Sequence, residues 1–230
     1  MNAQAARTGG ATLLSLGTAA AIFAVVAPGR DAGPRTLGLG TGVRSVSVTL
    51  ERAEVAVRAG ERASLRVRDG EHVTRSRSGA AVVITCAAGR SCVGARLELT
   101  VPRATDLAAR LHAGRAEVTG IAGRIDLEGE SAALSAIDVR PSALRAVTGS
   151  GAVHISLNGI ASTLTARTRT SPISIAVPYA YASDGYRLRI RTQGHRDLDI
   201  TRSPSRSAPT IDAASRSGDL LITQRYPNMS

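Results

Sequence analysis

The chain has 230 residues, 43% of them hydrophobic and 20% charged, which is enough for one large domain or two small ones with a buried core. All 29 basic residues are arginine, and against 18 acidic residues they give a formal net charge of +11. The lack of lysine excludes Schiff-base chemistry and a P-loop. The aromatic content of 2% argues against a site that stacks sugars or bases.

Residues 1–29 contain an uncharged apolar segment, Ala11–Ala27, preceded by Arg7. With its flanking glycines this segment would form a helix of roughly 31 Å, close to the ~30 Å hydrocarbon core of a bilayer. A cleaved signal peptide is the alternative, but Pro28 at the cleavage position disfavours it. We favour a retained membrane anchor, followed by a linker over residues 30–42.

The only two cysteines, Cys86 and Cys92, enclose a short loop that contains a glycine. An even number of cysteines behind a secretory-type segment predicts one disulfide. A metal site is the alternative, but it would need further histidine or cysteine ligands nearby. A disulfide places residues 43–224 outside the membrane in an oxidising space. The protein is then a single-pass cell-membrane protein, or a secreted one if the N-terminal segment is cleaved.

Strand-like alternation of apolar and polar residues begins after the linker, as in Val46-Ser-Val48. Residues 105–114 fit either a strand or a helical turn. From Gly114 onward, a unit of one small and two alternating apolar residues recurs about every ten positions. Its members are Gly114/Ala116/Val118, Gly123/Ile125/Leu127, Ala132/Leu134/Ala136, Ser142/Leu144/Ala146, Gly151/Val153/Ile155, Ser162/Leu164/Ala166 and Ser171/Ile173/Ile175.

The units also form a longer repeat, since residues 142–157 match residues 162–177 after a shift of 20 positions. Two strands in each repeat of about 20 residues is typical of a β-solenoid. An antiparallel sandwich is the alternative, and the internal match favours the solenoid. We expect the strands before Pro102 to lie beside it as a sandwich-like cap, and the alternation to return in residues 186–224.

Four segments resemble the bacterial putative-adhesin β-strand-repeat family: Leu97–Pro102 (LELTVP), Gly114–Val118 (GRAEV), Thr148–Gly151 (TGSG) and Ser215–Asp219 (SRSGD). The likeness covers roughly residues 40–224. This sequence departs from the family where aspartate is expected after glycine, because only Asp219 conforms. The resemblance implies an all-β, toastrack-like, right-handed β-helix outside the membrane. It implies adhesion or envelope sensing, and no catalytic residues.

Two groups of residues are candidates for a metal or catalytic site. Asp126, Glu128 and Glu130 share one face of a strand and could hold calcium, but we favour a solvated outer face and expect no metal. The segment Thr148–Ala152 beside His154 lacks the Gly-x-Ser-x-Gly pattern of a nucleophile elbow. We therefore expect neither enzymatic activity nor a cofactor.

Two arginine stripes invite a binding hypothesis. Arg187, Arg189 and Arg191 share an outward strand face, as do Arg167 and Arg169. In a solenoid, outward residues of neighbouring turns align, and guanidinium groups pair well with phosphate or carboxylate. The expected ligand is an anionic envelope polymer or a lipid surface. Nucleic acid is the alternative for a basic chain, but no motif or aromatic interleaving supports it.

These features predict a non-enzymatic, adhesin-like binding or structural module of the cell envelope. The alternative is a sensory or regulatory ectodomain that partners a membrane envelope-stress system. A polysaccharide-cleaving β-helix enzyme would need clustered carboxylates together with lysine or aromatic residues in a groove, and this chain lacks lysine and has few aromatic residues.

Overall fold

The computed structural model describes residues 34–70, 72–90, 92–180 and 185–225, and all regular elements within those ranges are β-strands. The anchor expected in residues 1–29 lies outside them. Among the described residues no helix is long and apolar enough to span a bilayer. The strands are β1 (Arg35–Gly38), β2 (Ser45–Ala59), β3 (Ser64–Asp69), β4 (Val73–Ser78), β5 (Ala81–Cys86), β6 (Ala95–Val101), β7 (Asp106–Thr119), β8 (Ile125–Val139), β9 (Ala143–Thr148), β10 (Val153–Leu157), β11 (Thr163–Thr168), β12 (Ile173–Pro178), β13 (Arg187–Arg191), β14 (Arg196–Asp199), β15 (Thr210–Ser215) and β16 (Leu220–Arg225).

The sixteen strands belong to one sheet that contains two ladders of parallel strands. The first ladder has the order β5-β2-β7-β8-β9-β11-β15-β13. The second ladder has the order β6-β2-β7-β8-β10-β12-β16-β14. Strands β2, β7 and β8 take part in both ladders, because their first halves pair in the first ladder and their second halves in the second.

The 20-residue match is confirmed as strand pairing. Leu144 on β9 lies beside Leu164 on β11, and Val153 on β10 lies beside Ile173 on β12. All four side chains are buried, because alternation turns every second residue of a strand towards the interior. The inward residues of both ladders form one hydrophobic core. Residues 106–114, which also fit a helical turn, lie in β7, where strands on both sides supply backbone partners.

The N-terminal strands extend this sheet and do not form the expected sandwich-like cap. Strand β2 pairs in parallel with β7 over most of its length. The antiparallel pairs at this end of the sheet are β1–β3, β3–β6 and β4–β5. The predicted disulfide between Cys86 and Cys92 is present, with a Cα–Cα distance of 5.8 Å, at the end of β5.

The order of strands in space differs from the order along the chain at both ends. Strand β2 has β5 and β6 on one side and β7 on the other, although it precedes all three in the sequence. The last two strands of the chain are inserted between earlier ones: β15 lies between β11 and β13, and β16 lies between β12 and β14. The outermost strands at the C-terminal end are therefore β13 and β14.

A short bend, here called the corner, joins each first-ladder strand to the following second-ladder strand. Four successive corners contain a buried hydroxyl residue, namely Thr148, Thr168, Ser215 and Thr192. The Thr148 hydroxyl donates to the Ala132 carbonyl at 2.9 Å and accepts from the Gly151 amide at 3.2 Å, and the other three make equivalent pairs of bonds. A Cβ on Gly151 would lie 1.8 Å from the Ala132 oxygen, so this corner requires glycine.

Candidate functional site

The five arginines predicted as ligand-binding residues lie on the first ladder and its corner, towards the C-terminal end. Arg187, Arg189 and Arg191 are on the outermost strand β13, and Arg167 is on β11. Arg169 lies just beyond the end of β11, within the corner. Because β15 lies between β11 and β13, the two predicted stripes are not adjacent.

The strand register brings Arg167 and Arg191 to opposite sides of a groove. Both residues are level with Ala214 on the intervening strand β15. The small methyl group of Ala214 leaves a depression between the two long side chains. The resulting groove, of about 590 Å³, is here called the corner groove, and it is lined by Arg167, Thr168, Ile190, Arg191, Thr192, Gln193, Arg196, Ala214, Ser215 and Arg216.

Two of the four lining arginines, Arg196 and Arg216, were not predicted from the sequence. Arg196 begins β14, and its guanidinium group donates to the Thr192 carbonyl at 3.1 Å. Arg216 lies in the corner after β15, where its backbone amide donates to the Arg169 carbonyl at 3.0 Å. A comparison of corner sequences would have indicated Arg216, since Ser215-Arg-Ser-Gly corresponds to Thr168-Arg-Thr-Ser.

One carboxylate, Asp212, balances part of this positive charge. It lies two residues before Ala214 on β15, and its side chain is only 16% exposed. Arg167 donates to Asp212 Oδ2 at 2.7 Å, and the Arg191 guanidinium lies 3.8 Å from Oδ1. No carboxylate lines the groove itself in the described part of the chain, so its wall presents guanidinium, hydroxyl and amide donors. Such a surface attracts anions.

The three carboxylates named as possible calcium ligands lie on β8, in the middle of the first ladder, and each contacts a basic side chain on a neighbouring strand. Arg110 contacts Glu128 at 2.8 Å, Arg145 contacts both Asp126 and Glu128, and His112 contacts Glu130. The hydrogen bond from Arg110, helped by Arg145, outweighs burial and lowers the pKa of Glu128. Burial opposes the charge of Arg145, but its bonds to the two carboxylates raise its pKa. Asp126 and Glu128 therefore act as counter-ions to arginines on the neighbouring strands β7 and β9.

Two further features bear on chemistry. Within residues 34–70, 72–90, 92–180 and 185–225, no three histidine, cysteine, aspartate or glutamate side chains are grouped so that they could hold a metal ion. Thr148, from the segment compared with a nucleophile elbow, is the buried corner hydroxyl described above, and both of its hydrogen bonds go to backbone groups. These two hydrogen bonds of the corner explain the position of Thr148.

Comparison with solved structures shows a likeness of fold. A putative cell adhesion protein from Clostridium sporogenes ATCC 15579 has 10% sequence identity and a TM-score of 0.51, covering 84% of this chain and 99% of that chain. A putative adhesin from Bacteroides fragilis NCTC 9343 has 10% identity and a TM-score of 0.39, covering 86% and 99%. No family model matches the chain, and none of the curated proteins does. The first likeness confirms, for the fold, the resemblance to putative adhesins that the repeat units indicate.

Proposed function

We propose that this chain is a non-enzymatic, adhesin-like module of the cell envelope that binds an anionic polymer in the corner groove. The observation that carries the proposal is the convergence of Arg167, Arg191, Arg196 and Arg216 on one groove that no described carboxylate lines. A guanidinium group offers a planar fork of donors that matches phosphate and carboxylate. With so few aromatic residues in the chain, charge and hydrogen bonding would supply the affinity.

The architecture we infer is a right-handed β-solenoid, in which each turn consists of one first-ladder strand, a corner and one second-ladder strand. Parallel pairing at a 20-residue offset in both ladders supports this inference. A solenoid suits a polymer ligand, because stacked turns place equivalent side chains at intervals of ~4.8 Å along the surface. Repeated charges on a polymer would then meet repeated donors on the protein.

The location we propose is outside the cytoplasm, with residues 1–29 as the membrane anchor. The Cys86–Cys92 disulfide supports this location, because disulfides persist in oxidising compartments. The similar solved structure from Clostridium sporogenes is that of a putative cell adhesion protein, and a surface role for this chain agrees with that likeness.

The test compares two arginine-to-serine variants with the same change of charge. The groove variant combines Arg196→Ser and Arg216→Ser, and the control combines Arg62→Ser and Arg90→Ser, two exposed arginines near the N-terminal end of the domain. Binding of the full chain to poly(glycerol phosphate), to polygalacturonate and to neutral dextran is measured by interferometry at low and high salt.

We expect wild type to bind one or both anionic polymers, not dextran, and more weakly at high salt because charges are screened beyond ~8 Å at physiological ionic strength. The groove variant should bind at least about tenfold more weakly, which corresponds to ~1.4 kcal/mol. The control should differ from wild type by less than about twofold, a change of ~0.4 kcal/mol. An equal loss in both variants would show that net charge, and not the groove, attracts the polymer. No wild-type binding would remove the proposal.

A further inference from the structure

The C-terminal end of the sheet leaves an apolar layer incompletely covered. Strand β13 pairs only with β15, and β14 pairs only with β16, among the described strands. The inward side chains Leu188, Ile190 and Leu198 are only partly buried, whereas the residues beside them on β15 and β16 are 0–1% exposed. The edges of β13 and β14 and the partly covered apolar residues between them therefore lie together at this end of the sheet.

On the outer side of this edge, backbone hydrogen bonds form at Tyr186, the residue before β13. The Tyr186 amide donates to the Thr201 carbonyl at 3.0 Å, and the Tyr186 carbonyl accepts from the Ser203 amide at 2.9 Å. Because backbone groups alternate sides along a strand, Leu188 and Ile190 direct theirs to the same outer side as Tyr186. Beyond Tyr186 that side has no described strand beside it. An unpaired edge of this kind is a template for pairing with another strand.

The two outer strands carry opposite charges on their outward faces. Strand β13 presents Arg187, Arg189 and Arg191, which alternate with the inward residues. Strand β14 presents Asp197 and Asp199, which flank the inward Leu198, while its first residue, Arg196, lines the corner groove. One end of the protein thus combines a basic edge and an acidic edge.

We propose that this end is the interface of a two-fold symmetric homodimer, in which β13 of each copy lies beside β14 of the other. A two-fold interface must be complementary to itself, so each edge must meet either its own copy or the other edge. Pairing β13 with β13 would oppose arginine to arginine, which is destabilising across strands. Pairing β13 with β14 opposes arginine to aspartate twice. It also covers the open apolar residues of both copies.

The test exchanges charges between the two edges in the full chain, purified in a mild detergent. One variant combines Asp197→Arg and Asp199→Arg, so that both edges are basic. The other combines Arg187→Glu and Arg189→Glu, so that both edges carry acidic residues. A control with Arg62→Glu and Arg90→Glu has the same charge change as the second variant but lies far from the edge. Sedimentation velocity measures association of each variant alone and of the two variants mixed.

We expect wild type and the control to sediment as dimers and each edge variant to sediment as a monomer. An equimolar mixture of the two edge variants should recover the dimer, because each basic edge then meets an acidic one. Recovery in the mixture also shows that both variants are folded. A monomeric wild type would overturn the proposal, as would equal association of all variants, which would point to the N-terminal segment. A dimer strengthened by the Arg187→Glu and Arg189→Glu changes would indicate β13–β13 pairing instead.

Discussion

The corner hydroxyls make a sharp prediction about stability, for which Thr148→Val is the cleanest change. Valine has nearly the shape of threonine and the same branching at Cβ, so the backbone and the packing are preserved. What is lost is the donor to Ala132 at 2.9 Å and the acceptor for Gly151 at 3.2 Å. Thr148 is 4% exposed, so water has little access to replace either bond.

The size of the effect follows from two opposing terms. A buried polar group left without its partner costs about 1–3 kcal/mol, and here two backbone groups lose one partner each. The added methyl group recovers about 0.8 kcal/mol through burial. With both groups counted, we expect Thr148→Val to lower the free energy of unfolding by about 1–5 kcal/mol.

The matched control is Thr163→Val, on the exposed face of β11. The same chemical change there should alter the free energy of unfolding by less than about 0.5 kcal/mol. Urea unfolding followed by far-ultraviolet circular dichroism measures both variants against wild type. If the two variants are equally stable, the corner hydroxyls do not fasten the turns and the reasoning is refuted.

Two further predictions concern the core. Burial raises the pKa of Tyr186 from the ordinary value of 10.0 to about 12, so the folded protein should lose stability as the pH rises through this range. Tyr186→Phe should remove that part of the loss, measured as the pH dependence of the melting temperature. An unchanged alkaline slope in the variant would contradict this. The Tyr186 hydroxyl also donates to the Pro178 carbonyl at 2.7 Å, so the variant should be about 1 kcal/mol less stable at neutral pH. Leu164→Asp places an unpaired charge at a site only 1% exposed and should prevent folding, while Thr163→Asp on the same strand should fold. Limited proteolysis separates the two outcomes, and a protease-resistant Leu164→Asp protein would refute the register.

The strand pairing was predictable because buried neighbours repeat in the sequence at the period of the fold. Leu144 and Leu164 occupy equivalent positions, so a shift of 20 residues reveals their contact. The sequence contains no comparable signal for the inserted position of β15 and β16. Their inward residues, Ile211 and Ile222, would be equally compatible with strands in the outermost turn, because alternation of apolar residues does not specify which strand lies beside them.

The corner groove was predictable only where the strand period applies. Arg167 and Arg191 lie on strands, and their alternation with apolar residues indicated an outward face. Arg216 lies in a corner, and Arg196 is the first residue of a strand. At such positions the two-residue period does not predict which way a side chain points. Gly151 opens one of the repeat units, and the structural reason for glycine there is the close approach of the Ala132 carbonyl oxygen.

The inserted order of the last strands has a physical reason in the charges of the first ladder. If β13 lay directly beside β11 in the observed register, Arg167 would oppose Arg191 across neighbouring strands, an arrangement that is destabilising. With β15 between them, Ala214 separates the two guanidinium groups, and Asp212 lies within reach of both. The strand that inserts is thus the one that carries the carboxylate. The same insertion keeps the arginines far enough apart to form a groove and close enough to face one ligand.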